Sequence, residues 1–155
     1  MLKFSLCIDP VFTDYSYYDR VKIAADQGYD GVEFWDVNEF DLEKMAAVCE
    51  ENSIRVANMN SYDAWGMNMC EQTKLILPNM QKTFEAAHIL NAENILVLSS
   101  YSGYANASCQ KMIMVENLKR IAELAEKYGV MVNIEPLNSI VEHKGIELTS
   151  SGDGF

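Results

Sequence analysis

Basic residues are scarce in this chain: twelve Lys and Arg stand against twenty-three Asp and Glu, for a formal charge of -11. A surface so acidic repels phosphate backbones and anionic headgroups, which argues against nucleic acid and membranes as partners. There are only two histidines, and Cys7, Cys49, Cys70 and Cys109 form no Cys-x-x-Cys pair and stand near no histidine cluster. Neither a zinc-finger type of site nor a disulfide framework is suggested, and a reduced, cytosolic setting is expected. No apolar run approaches the roughly 20 residues of a membrane span. Residues 1–10, interrupted by Asp9, lack the cleavage signature of a secretory signal. With glycine and proline also modest and 49% of residues hydrophobic, 155 residues are enough for one packed domain over 1–155 rather than a disordered segment.

What is present is an alternation of short apolar runs with longer amphipathic ones, the pattern of a parallel sheet with crossover helices. Strands are expected at Lys3–Ile8, Gly31–Trp35, Ile54–Asn60, Asn94–Ser99 and Val130–Ile134, the last running into Glu135-Pro136-Leu137-Asn138. Helices are expected from Tyr15 to Gln27, capped by Thr13 or Asp14 and ended by Gly28, and from Leu42 onward, capped by Asp41. A third helix reaches about Leu90, with Pro78 starting its regular part or kinking it. The fourth spans about Gln110 to Tyr128, with Ile113, Leu118, Ile121 and Leu124 inward and Glu116/Arg120 and Glu123/Lys127 paired outside. Segments 61–72 and 101–108 read as long loops following strands, and 139–155 adds no strand.

The turn after the first strand, Asp9-Pro10-Val11-Phe12, lacks the glycines with which a nucleotide-binding sheet approaches a pyrophosphate. Residues two apart on a strand share a face. Ser5, Cys7 and Asp9, Glu33 and Trp35, Asn58 and Asn60, and Asn133 and Glu135 therefore form a semi-polar surface. Val32, Phe34, Ala57, Met59, Val132 and Ile134 form the apolar one. That asymmetry suits a barrel lumen leading to a site at the carboxyl ends of the strands, with a flavodoxin-like sheet as the alternative.

Tyr29-Asp30-Gly31-Val32-Glu33-Phe34-Trp35, Ser61-Tyr62-Asp63-Ala64-Trp65-Gly66, Val115-Glu116-Asn117-Leu118-Lys119-Arg120 and Ile134-Glu135-Pro136-Leu137-Asn138 with Glu142-His143-Lys144-Gly145 occur in one order and spacing. In these motifs the chain resembles the hydroxypyruvate isomerase group of the xylose-isomerase-like TIM-barrel family, along its N-terminal portion. The resemblance implies an α/β fold, five βα units of a (β/α)8 barrel with parallel strands in the order 1-2-3-4-5. It also implies metal-assisted proton transfer between adjacent carbons of a small sugar or hydroxy-keto acid. Such chemistry uses two carboxylates and a divalent cation, Mn or Mg, that polarises the carbonyl. The family's fifth-strand glutamate, a metal ligand and one of the catalytic pair, falls on Glu135, whereas its remaining ligands and second glutamate come from strands six to eight. On this chain alone metal binding is expected to be weak or absent, because one glutamate does not make a hard-cation site. Relatives carry two aromatics after the His-x-Gly where this chain has Ile146-Glu147.

Trp35, Asn60, Trp65, Asn138 and His143 are the candidate substrate contacts. Tyr62, Tyr101 and Tyr104 are loop aromatics that either stack on a sugar or cover neighbouring side chains. Glu135 has a plainer reading as a strand-end carboxylate that caps a helix or pairs with lysine, and Glu33 needs a partner or the wet lumen, a structural role. His88 reads as packing against its helix, and the methionines as core filler. Five strands leave two open edges, so a homo-oligomer through those edges is expected. Two functions stand: a family isomerase, incomplete and inactive in this chain alone, or a non-catalytic self-associating remnant of such a barrel. A zinc phosphodiesterase of the endonuclease IV type would want a histidine-rich site and a basic groove, which the sequence lacks.

Overall fold

The computed structural model describes residues 1–70, 72–99, 107–146 and 148–154. Its elements run β1 (Ser5–Cys7), α1 (Tyr17–Asp26), β2 (Gly31–Phe34), α2 (Leu42–Glu51), β3 (Arg55–Asn60), α3 (Thr73–Leu90), β4 (Asn94–Leu98), α4 (Ala107–Tyr128) and β5 (Met131–Glu135). Short 3-10 turns lie at Val37–Glu39 and Ser151–Gly154. All strand pairs are parallel, in the order β1-β2-β3-β4-β5. Every crossover therefore leads to the next neighbour, as in a barrel, and the reversal of strand order that defines a flavodoxin-like sheet is absent from this sheet.

The apolar stripes dictate the packing. α2 buries Met45, Val48 and Cys49, and α3 buries Ile76, Met80, Phe84, Ala87 and Leu90 against the outward residues Val32, Phe34, Val56, Met59, Ile95 and Val97. Adjacent helices α1–α2, α2–α3 and α3–α4 pack side by side. Asp41 caps α2 by accepting from the Lys44 N–H at 2.8 Å, as expected. The cap of α1 is instead Ser16, whose hydroxyl accepts from the Asp19 N–H, so neither Thr13 nor Asp14 serves. α3 runs through Pro78 and ends on Asn91, left-handed at φ 50°. Gly28 and Gly129 follow α1 and α4 at positive φ.

Further expectations are corrected. The register of β2 on β3 slips between Val32/Val56 and Glu33/Asn58, so Ala57 is an inserted bulge residue. A bulge breaks the two-residue alternation, and Val56, not Ala57, faces the helices. The Ala57 Cβ lies 3.1 Å from where a Cβ on Gly31 would stand, which is why β2 begins on glycine. On α4, Ile121 is buried and Leu118 and Leu124 pack half-buried against the core as expected, but the stripe also holds Gln110, Met114, Asn117 and Ala125, and Ile113 is exposed. Its ion pairs include the i,i+3 pairs Glu116–Lys119 and Arg120–Glu123. His88 is exposed on α3 rather than packed. The methionine reading holds for Met45, Met59, Met69 and Met80, all fully buried, but not for Met112 or Met131.

Candidate functional site

The loops at the carboxyl end of the sheet are fixed by polar groups that most positions of a helix or strand would not bear. Arg20, buried on α1, donates from Nε to the Tyr15 carbonyl (3.0 Å), from one terminal nitrogen to Ile8 (3.1 Å) and Asp9 (3.2 Å), and from the other to Thr13 (3.2 Å). Its guanidinium lies 4.5 Å from the Tyr17 ring centroid. This fork folds the β1–α1 loop and thereby holds the Asp9 carboxylate, which accepts from the Trp35 N–H (2.8 Å) and the Tyr17 hydroxyl (3.0 Å). Burial, then Asp9, pushes the Tyr17 phenol up to about 12. Sequence reasoning missed Arg20. Its signal was a guanidinium beside Val21 and four residues before Ala24, on the buried stripe of α1.

The β3–α3 loop is held from two sides. Thr83 Oγ1 accepts from the Tyr62 N–H at 2.9 Å, and Asn117, 1% exposed, donates to the Met69 carbonyl while accepting from the Thr73 hydroxyl. Asp63 is left-handed, and its carboxylate lies where a Cβ on Gly66 would stand.

Glu135 is the last residue of β5, paired in register with Leu98 and half-buried. Desolvation raises its pKa, and the nearby His143 partly opposes that rise. The loop beyond turns back on itself. Asn138 Oδ1 accepts from the N–H groups of Ile140 (2.9 Å) and Val141 (3.3 Å), and the Asn138 carbonyl accepts from the His143 N–H (3.0 Å). Leu137 and Ile146 join Ala64 and Leu98 in a small apolar cluster that ties this loop to the β3–α3 loop. The result is that the His143 ring stacks on Trp65, with centroids 5.3 Å apart at 23°.

Glu135, His143 and Trp65 are thus brought together. Trp35, 53% exposed, is grouped with Trp65 around a separate cavity of about 530 Å³. Asn60 ends β3, 5% exposed, beside Leu96 in register. Asn138 spends its side-chain oxygen on its own loop. Glu33 accepts from the Ser5 hydroxyl across the lumen face, the structural role expected of it. Tyr101 and Tyr104 lie outside the described residues.

Among the described residues no group of three His, Cys, Asp or Glu is placed to hold a metal. Glu135 offers one carboxylate beside one imidazole, whereas a hard cation takes about six oxygen donors. These residues do not fit a metal centre by themselves. No helix among them is long and apolar enough to cross a membrane.

Residues 21–148 match the model of the xylose isomerase-like TIM barrel family. The chain is 27% identical to hydroxypyruvate isomerase of Escherichia coli (strain K12), covering 97% of this chain and 61% of that protein. It is 24% identical to 2-oxo-tetronate isomerase of Pectobacterium atrosepticum, covering 92% and 57%. The chain therefore spans about three fifths of the length of the curated relatives it matches. Among solved structures it superposes on an AP endonuclease, family 2, from Brucella melitensis with a TM-score of 0.87, at 21% identity over 96% of this chain and 60% of that one. It superposes on the IOLI protein, solved with a zinc atom, with a TM-score of 0.78 at 15% identity over 99% and 57%. Five parallel strands in sequential order, the acidic end of the fifth strand and the family match agree: the chain belongs to the xylose isomerase-like TIM barrel family.

Proposed function

We propose that the carboxyl end of this sheet is the substrate end of a sugar isomerase, with Glu135 moving a proton between adjacent carbons of a small hydroxy-carbonyl compound. The observation that carries the reading is the placement of Glu135. It stands at the mouth of β5 with its pKa raised by desolvation, next to an imidazole held by an aromatic ring. A carboxylate whose pKa is raised is a stronger base when ionised, and general-base catalysis gains as that pKa nears the working pH. His143 lies close enough to steady the ionised carboxylate, and Trp65 fixes the imidazole ring. The names of the relatives suggest hydroxypyruvate or 2-oxo-tetronate as the first substrates to try. In an isomerase assay on both, run with Mn²⁺ on a version of the chain extended to full barrel length, E135Q should lower kcat by about 10²-fold or more, the usual worth of a positioned base. Its circular dichroism should be unchanged. Wild-type rates in E135Q would end this reading.

A second reading, a non-catalytic protein that associates with a second copy of itself, draws on the sheet edges. Among the described residues β1 pairs only with β2 and β5 only with β4, and Phe4 and Met131 beside those edges are each 63% exposed. Open edges of this kind pair with other strands. Sedimentation as a dimer together with no turnover would favour this reading; a monodisperse monomer would exclude it.

A further inference from the structure

The motif Val115–Arg120 on α4 turns most of its polar side chains away from the sheet. Glu116, Lys119 and Arg120 enter surface ion pairs, and Val115 is exposed. Asn117 is the exception, buried as deeply as the apolar core beside it. A buried amide is tolerated where its donors and its acceptor are matched. Here the match is with a loop and not with its own helix. Nδ2 donates to the Met69 carbonyl at 2.8 Å, and Oδ1 accepts from the Thr73 hydroxyl at 2.6 Å. One side chain therefore spans the junction at which the β3–α3 loop becomes α3.

What that junction carries is Trp65. The turn 63–67 is closed by two bonds to the Asp63 carbonyl, from the N–H groups of Gly66 (3.0 Å) and Met67 (2.7 Å), around a left-handed Asp63. A turn closed in this way moves as a unit, so the direction of Trp65 is set by how its two ends are attached. Upstream, the Tyr62 N–H is held by Thr83 of α3. Downstream, Met67 and Met69 are buried, and the backbone between them and α3 is fixed to Asn117 of α4. Ala64, in the small cluster with Leu98, Leu137 and Ile146, adds a third contact. That contact is apolar and without direction, and it lets the turn pivot unless both polar attachments hold. We propose that Asn117 is a positioning residue for the site: it sets the angle at which Trp65 meets the His143 ring, and so the place of the imidazole beside Glu135. Only the last step rests on the reading of Glu135 as the base.

The test is aromatic ¹H–¹³C NMR on the whole chain, whose two imidazoles are those of His88 and His143. His88, exposed on α3, is the internal reference. Stacking on an indole moves the His143 ring protons upfield, and W65A gives their unstacked position. N117D keeps the size of the side chain and the acceptor for Thr73, but turns the donor facing Met69 into an acceptor. In N117D the His143 signals should move most of the way to the W65A position while those of His88 stay. T73V removes the hydroxyl alone and should move them less, in the same direction; T73S should leave them in place. Circular dichroism melting shows which variants are folded at the temperature of the spectra, and if N117D is not, the displacement in T73V decides. In the isomerase assay at full barrel length, N117D should lower kcat by about 10- to 10²-fold, in line with the cost of misplacing a group by about 1 Å. His143 signals unmoved in the folded variants would overturn the proposal whatever becomes of Glu135. A displaced ring with an unchanged kcat, where E135Q is impaired, would overturn it too. If E135Q keeps the wild-type rate while N117D displaces the ring, the base assignment falls and the positioning of Trp65 stands.

Discussion

Replacing Arg20 tests how the mouth of the sheet is held. In R20A the Ile8 carbonyl loses a buried donor, which costs about 1–3 kcal/mol. The Asp9, Thr13 and Tyr15 carbonyls are only partly buried and can be rehydrated, so together they add about 1 kcal/mol. Loss of the guanidinium from the Tyr17 ring adds about 0.5–1 kcal/mol. The sum, about 3–5 kcal/mol, is a large part of the ~5–15 kcal/mol that holds a domain together. At about 2–4 °C per kcal/mol for a chain of this size, the melting temperature should fall by about 6–20 °C. R20K keeps the charge but not the fork that reaches four carbonyls, and should recover less than half of the loss. Urea unfolding by circular dichroism gives the free energies. Because Asp9 anchors the Trp35 backbone, tryptophan emission of R20A should also shift to the red before global unfolding. A loss under about 1 kcal/mol in R20A, or R20K as stable as wild type, would refute the role given to the fork.

Other perturbations follow from the same geometry. The folded-state pKa of Glu135 lies above the ordinary 4.5, so at neutral pH the folded protein carries a carboxylate it would rather hold protonated. Stability from this group is lost as pH rises through the folded value, and E135Q should melt higher than wild type at pH 7, with the gap closing as pH falls below 4.5. G31V should cost about 1–3 kcal/mol in urea unfolding, because its Cβ would meet Ala57 at 3.1 Å and the Arg55 carbonyl at 3.2 Å. S16A should cost about 1 kcal/mol, and T13A and D14A much less, since only Ser16 caps α1. Added Mn²⁺ or Mg²⁺ should leave the melting temperature unchanged; a saturable rise would show that a donor set has been assembled beyond the single carboxylate of Glu135.

The order of elements was legible because it rests on patterns longer than any one residue. The stripe Leu42, Met45, Ala46, Cys49 and the run Val130–Ile134 each declare a period and a length, and the structure keeps both, with the strand shifted by one residue to Met131–Glu135. What escaped depended on single contacts. The bulge at Ala57 leaves no mark on composition, yet it reverses the face of every residue before it on β3. Ile113 is as apolar as Ile121, and only the rotation of α4 on the sheet exposes one and buries the other. Ser16, Thr13 and Asp14 are all acceptable caps; the chain path set by Arg20 selects the first. At the site, Glu135 was readable from its motif, but the stacking of His143 on Trp65 joins residues 78 positions apart and becomes visible only once the two loops share the Leu98 cluster.

The reading of Glu135 as a base is tested most directly by running the conversion of hydroxypyruvate in D₂O, with the chain extended to full barrel length, and following the carbon beside the carbonyl by NMR. Proton transfer through the carboxylate predicts deuterium at that carbon in the presence of wild-type protein, and its loss in E135Q. Product formed without deuterium, or incorporation that persists unchanged in E135Q, would contradict it.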